Sequence, residues 1–186
     1  MISKIYLTSD SKHILKYGDK KNINTILRPK KYSSDKATSK DVIRHFLTQI
    51  DSAKFFNSYI VYIQPSSPMY SAKHIDKAIK LIKKKKSTCL ISCNLTESEI
   101  LFKSFQEAKK GKIKPIFNKN FLYTNRQSFK NIYTPNGCIF IFKIVKNFLK
   151  NYISYSNCIP YVMNDNDGID INNEKDLLKV RKIFIK

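Results

Sequence analysis

Glycine is scarce in this chain of 186 residues: four positions, Gly18, Gly111, Gly137 and Gly168. Tryptophan is absent, and acidic residues number 14 against 35 Lys and Arg. Each shortage excludes something. No glycine-rich loop joins a strand to a helix, so neither GxxxxGK[ST] nor GxGxxG is present, and phosphate cradles of those two kinds are ruled out. Cys89, Cys93, Cys138 and Cys158 form no CxxC pair, and no histidine follows at zinc-ligand spacing. Buried free thiols in a reducing compartment are expected. The longest apolar run, Cys138 to Phe142, stops at Lys143 and is far too short to span a bilayer. No apolar leader opens the sequence. The expectation is a cytoplasmic, soluble protein with no membrane partner.

What is present points to a folded domain. Apolar residues make up 42% and aromatics 12%, too many for a disordered chain. The length suits a single domain over residues 1–186 with a real core. A net charge of +21 attracts polyanions. The lysines are scattered and no aromatic-basic RNA signature appears, so general lysine richness is favoured over a nucleic-acid face.

The elements alternate. Lys4–Thr8 reads as a strand, Ser11–Tyr17 as a short helix ended by Gly18, and Asn24–Leu27 as a second strand. Ser39 reads as the N-cap of a helix with Val42, Phe46 and Ile50 on one face. Tyr59–Ile63 is a strand, and Ser71 caps a helix burying Ile75, Ala78, Ile79 and Ile82. Thr88–Cys93 is a strand again. This order implies parallel βαβ units in a doubly wound α/β sheet, and continuous apolar strands imply helices on both faces, hence three layers. From Glu97 to Tyr133 the pattern breaks into a hairpin or arm. Cys138–Phe142 restores it, followed by a helix near Val145–Asn151 and a last helix from about Asn173.

Ligands of an open parallel sheet bind beyond the carboxyl ends of its strands. Gln64 sits at such an end, stiffened by Pro65 and Pro68. Its amide suits a neutral group of a base or sugar, although taken alone the stretch favours plain turn chemistry. Arg28 follows the second strand and could fork a phosphate or stand exposed. Asp170 and Asn172, two apart on an extended segment, point the same way and could hold Mg²⁺. The rival reading there is helix capping by Asn173 with Asp176.

Taken in order, the motifs resemble the acylneuraminate cytidylyltransferase family. The carrying segments are Tyr6-Leu-Thr-Ser-Asp10, Arg28-Pro29 with Ser33-Ser-Asp35, and Gln64-Pro-Ser-Ser-Pro68 with His74-Ile75. Arg126-Gln127 with Pro135-Asn-Gly137, then Tyr161-Val-Met163 with Gly168-Ile-Asp-Ile-Asn172, complete the series. The resemblance implies a nucleotide-diphospho-sugar transferase-like fold and transfer of CMP from CTP to an acidic nine-carbon sugar, with pyrophosphate released and Mg²⁺ as cofactor. By position, Arg28 and Ser39 would contact the nucleotide. Gln64, Lys103, Arg126 and Asn136 would line the sugar pocket, and Asp170 with Asn172 would hold the metal. Catalytic roles fall to Asp170 and Arg28. The family is usually a homodimer, for which residues 97–133 would be the arm.

Some positions depart from the family pattern. The family opens with a strand and a phosphate loop that this sequence is expected to lack. Asn172 stands where the family has Asp, which weakens a Mg²⁺ site. Tyr70 replaces an Arg, and Phe140 a Tyr. A non-catalytic sugar- or nucleotide-binding relative, or the partner of an intact copy, is therefore the alternative to an active transferase.

Overall fold

The structure is a computed structural model that describes residues 2–34, 36–145 and 157–185. Its described residues fall into two compact units. One draws on Met1–Ile60 and Lys143–Ile153, the other on Val61–Phe142 and Ser154–Lys186.

In the first unit, β1 (Tyr6–Ser9), α1 (Lys12–Lys20) and β2 (Asn24–Leu27) form a parallel βαβ unit in register from Tyr6–Asn24 to Ser9–Leu27. Ser11 caps α1 by accepting from the Ile14 N–H. The helix runs past Gly18, which was expected to end it. A Cβ at Gly18 would stand 2.7 Å from Leu7 Cδ2 and 2.9 Å from Thr25 Cγ2, so this glycine lets the helix press onto both strands. The second helix, α2 (Ser39–Gln49), begins one residue earlier than expected. Thr38 is its N-cap, in a capping box with Asp41, and Ser39 is its first helical residue. α2 buries Val42, Ile43 and Leu47, and Phe46 meets Tyr6 edge-on at 5.2 Å.

The second unit contains most of β3 (Tyr59–Ile63), then α3 (Ala72–Lys85), β4 (Cys89–Thr96), α4 (Ser98–Phe102), β5 (Phe105–Glu107), β6 (Ile113–Pro115), β7 (Ile132–Lys143), β8 (Cys158–Val162) and α5 (Glu174–Phe184). Its main sheet has the order β3-β7-β4-β8. β8 lies parallel to β4, from Cys89–Cys158 to Cys93–Val162, whereas β7 runs antiparallel to β4. The core is made by Ile82 on α3, Leu90 on β4, and Ile139 and Ile141 on β7, all fully buried. Each such side chain contributes about 1.5–3 kcal/mol relative to exposure. Ser71 and Asn173 cap α3 and α5 as expected, each through a capping box.

Three features differ from expectation. β7 starts at Ile132, six residues before the expected Cys138, because its polar first half pairs with the end of β4. β8 was not foreseen as a strand, since Pro160 removes a ladder donor. It is tolerated because β8 is an edge strand. Cys89 and Cys158, expected as free thiols, face each other across β4 and β8 and are joined in a disulfide. Cys93 and Cys138 remain free and buried, and burial raises both thiol pKa values.

The expected hairpin is present as the antiparallel pair β5–β6. Behind it Phe102 gathers Phe117, Phe121 and Phe129 at centroid distances of 4.9–5.4 Å. Apart from Val145, the helix expected near Val145–Asn151 lies outside the described residues.

Candidate active site

The site grows from an irregularity in the β4–β7 ladder. Ile91 opposes Phe140 and Cys93 opposes Pro135, so Ser92 alone faces Asn136, Gly137, Cys138 and Ile139. The surplus residues bulge from β7. Gly137 makes the turn with φ +77°, a left-handed conformation that suits glycine. A Cβ there would also lie 3.1 Å from Gln64 Oε1 and 3.3 Å from Asp170 Oδ2. Gln64 at the end of β3, the bulge of β7 and Asp170 beyond β8 therefore meet at one place.

The loop after β8 is held close. A Cβ at Gly168 would come within 2.4 Å of Asn136 Nδ2 and 2.5 Å of Asn94 Oδ1, so only glycine admits this approach. The Ile171 N–H donates to the Ser66 carbonyl at 2.9 Å, tying the loop to the turn after β3. Ser67, fully buried, donates to Asp170 Oδ1 at 3.2 Å, and Asn172 Nδ2 donates to Asp170 Oδ2 at 3.2 Å. His74 is also committed: its Nδ1 accepts from the Ser71 N–H at 3.0 Å, and its Nε2 stands 3.6 Å from Asp167 Oδ2. It fastens α3 to the loop that carries Asp170.

A cavity of about 450 Å³ opens over these groups. Asn94, Thr134, Pro135, Asn136 and Gly137 line one side, Gly168, Asp170 and Asn172 the other, with Phe140 among them. It lies beyond the carboxyl ends of β3 and β8, where an α/β sheet binds its ligands. Beneath it the Cys138 thiol is pushed up in pKa by burial, then by the charges of Asp170 and Asp167 against a lowering hydrogen bond with Ser67.

The structure thus brings together Gln64, Asn136, Asp170 and Asn172. Asn136, Asp170 and Asn172 line the cavity and Gln64 stands beside its Gly137, whereas Lys103 and Arg126 are not among the lining residues. Lys103 Nζ pairs with Glu99 Oε1 at 2.8 Å, and Arg126 reaches Glu97 at 3.5 Å and Glu99 at 3.8 Å. The hydrogen bond from Lys103, aided by both positive charges, lowers the Glu99 pKa. Arg28 and Ser39 belong to the first unit. There Arg28 Nε donates to Ser33 Oγ at 2.9 Å. His45 lies nearby and buried; desolvation, then the charges of Arg28 and Lys31, lower its pKa, and its Nδ1 has no hydrogen-bond partner.

Ser67, Ser92 and Asn94 were missed in the sequence. A serine inside the apolar run of β4 was the available signal, because a buried hydroxyl needs a partner. As a metal site the cavity offers the Asp170 carboxylate and the Asn172 amide. Among the described residues no group of three or more His, Cys, Asp or Glu could hold a metal ion. This donor set fits Mg²⁺, which keeps waters and takes one or two carboxylates plus substrate phosphates.

Solved structures that share this α/β fold include two cytidylyl-group synthases. One is CMP:2-keto-3-deoxy-manno-octonic acid synthetase complexed with CTP (TM-score 0.64, 9% identity, 99% of this chain and 81% of that one). The other is 4-diphosphocytidyl-2C-methyl-D-erythritol synthase from Anaerococcus prevotii DSM 20548 (0.62, 13%, 100% and 80%). The fold is nucleotidyltransferase-like, as expected. A profile of the cytidylyltransferase family matches residues 1–174, and the chain belongs to that family. It is 27% identical over 182 residues to the N-acylneuraminate cytidylyltransferase of Escherichia coli O18:K1:H7 (strain RS218 / NMEC), and 24% over 177 residues to that of Streptococcus agalactiae serotype III (strain NEM316). Each match covers 95% of this chain, which spans 41% of either relative's length.

Proposed function

We propose that this chain transfers CMP from CTP to an acidic nine-carbon sugar of the sialic, legionaminic or pseudaminic type. The sugar's anomeric hydroxyl attacks the α-phosphorus, the bond from that phosphorus to the bridging oxygen breaks, pyrophosphate leaves, and the hydroxyl proton passes to solvent. The observation that carries the reading is that Asn136 and Asp170 line one cavity, with Gln64 beside its Gly137, in a chain of the cytidylyltransferase family.

Catalysis of this kind rests on positioning and on charge neutralisation. Gln64 and Asn136 hold the sugar. Asp170, oriented by Ser67, would hold Mg²⁺ together with Asn172, and the ion would supply charge neutralisation at the phosphates. Arg28, fixed through Nε, keeps two terminal nitrogens in a fork suited to phosphate, and Ser39 serves the nucleotide. The Arg126 pairs are exposed and long, so they are weak and a ligand carboxylate can replace the glutamates; Lys103 adds a second cation. Exposed Ile100, Ile113 and Tyr123 on the arm support a homodimer. A cytoplasmic setting, where CTP is made, belongs to the same reading, and there the Cys89–Cys158 pair would stand reduced. No helix among the described residues is long and apolar enough to cross a membrane.

The test is pyrophosphate release by the folded chain. Release that requires CTP and an acidic sugar together supports the proposal. A flat trace with all three sugar types, at chain concentrations where folding is verified, rejects it.

A further inference from the structure

One hydroxyl clasps the bulge of β7 from the opposite strand. Ser92 is fully buried. Its Oγ accepts from the Ile139 N–H at 2.8 Å, and its own proton goes to Asn136 Oδ1 at 2.6 Å. The Cys138 N–H reaches the same Oδ1 at 3.3 Å, so both lone pairs of that carbonyl are engaged. On its other side Asn136 Nδ2 donates to Asn94 Oδ1 at 2.7 Å, and Asn94 Nδ2 donates to Asp165 Oδ1 at 3.4 Å.

This chain of hydrogen bonds runs one way, and both ends fix its direction. The Cys138 N–H only donates, so the Asn136 oxygen must lie at that end, where it also takes the Ser92 proton. At the other end Asn94 spends its nitrogen on Asp165 Oδ1, which leaves its oxygen toward Asn136. Turning the Asn136 amide over would place its nitrogen against the Cys138 N–H and its oxygen against the Asn94 oxygen. Held as it is, Asn136 gives one N–H to Asn94 and keeps the second for the cavity it lines.

We infer that Ser92 and Asn94 are positioning residues of this pocket: they lock the Asn136 amide so that the cavity receives a hydrogen-bond donor. The ligand atom met there is an acceptor, a carboxylate or carbonyl oxygen. The ligand's identity rests on the proposed function; the orientation of the amide does not.

Side-chain amide NMR of the ¹⁵N-labelled full chain reads the lock directly. In the unsubstituted chain the two Asn136 Nδ2 protons are expected to be inequivalent and slow to exchange. Ser92→Ala speeds their exchange by about tenfold or more, the loss of a buried hydrogen bond. Ser92→Thr, which keeps the hydroxyl, restores slow exchange. Asn94→Ala, at a less buried position, loosens the amide from the other side and serves if Ser92→Ala fails to fold. In titrations with an acidic sugar, Ser92→Ala weakens binding about tenfold, yet adds nothing when Asn136 is already Ala. Unchanged exchange in the folded variants, or fully additive losses in the double variant, overturns the inference. If the unsubstituted chain binds no acidic sugar, the proposed function fails, while the exchange rates still decide the role of Ser92.

Discussion

Two polar clusters of the second unit are built on opposite principles. At the cavity Ser92, Asn94 and Asn136 form neutral, largely buried hydrogen bonds, and Ser67 donates to the Asp170 carboxylate. On the arm Lys103, Arg126, Glu97 and Glu99 carry full charges on a solvent-facing surface. Buried neutral bonds are short and directional, and leaving one partner unsatisfied costs about 1–3 kcal/mol. Exposed ion pairs are screened and contribute about 0–1 kcal/mol. Geometry is therefore fixed at the cavity, while the arm's cations stay free to exchange partners.

The sharpest way to break this contrast is at Asp170. Asp170→Ala is expected to lower kcat by about 100-fold or more, measured by pyrophosphate release, while the chain stays folded. Equal loss from Arg126→Ala would erase the distinction. Next is Gly168→Ala, whose methyl group drives into Asn136 and Asn94. It is expected to cost about 1–3 kcal/mol in denaturant unfolding and to lower sugar affinity with it. Asn172→Asp comes third. A second carboxylate replaces an amide that now donates to Asp170, so half-saturation by Mg²⁺ is expected to fall several-fold in a metal titration. No change would remove Asn172 from the metal site.

The smallest effects belong to the arm. Arg126→Ala is expected to change stability by less than about 0.5 kcal/mol by thermal melting. Glu99 has a lowered folded pKa, so whatever its pair with Lys103 contributes is present above the unfolded value near 4.5 and is lost as pH falls through the folded one. Glu99→Gln is expected to change the melting midpoint by about a degree at most relative to the unsubstituted chain, and that difference is expected to vanish below the window and in molar salt.

The same contrast explains what the sequence made legible. Gln64 announced itself by the prolines after β3, and Asp170 by alternation before a capping box; both signals are local. The aromatic arm was legible as a break in the βαβ pattern. Ser92 was not, because its role exists only opposite Asn136, 44 residues away along the chain. Gly168 and Gly137 read as two of few glycines, yet only the fold shows what a Cβ would strike. The antiparallel setting of β7 and the edge position of β8 are products of pairing between distant segments, which periodicity does not encode. Lys103 and Arg126 carry the right charge for an anionic ligand, but their partners in the structure are Glu97 and Glu99.

Backbone amide chemical shifts, followed while an acidic nine-carbon sugar and CTP are titrated into the labelled chain, test most directly whether the bulge of β7 is where substrate sits. The sugar-dependent changes are expected to gather at Gln64, Asn136, Gly137, Gly168 and Asp170. Changes confined to other surfaces, or none at saturating ligand, would contradict the site described here.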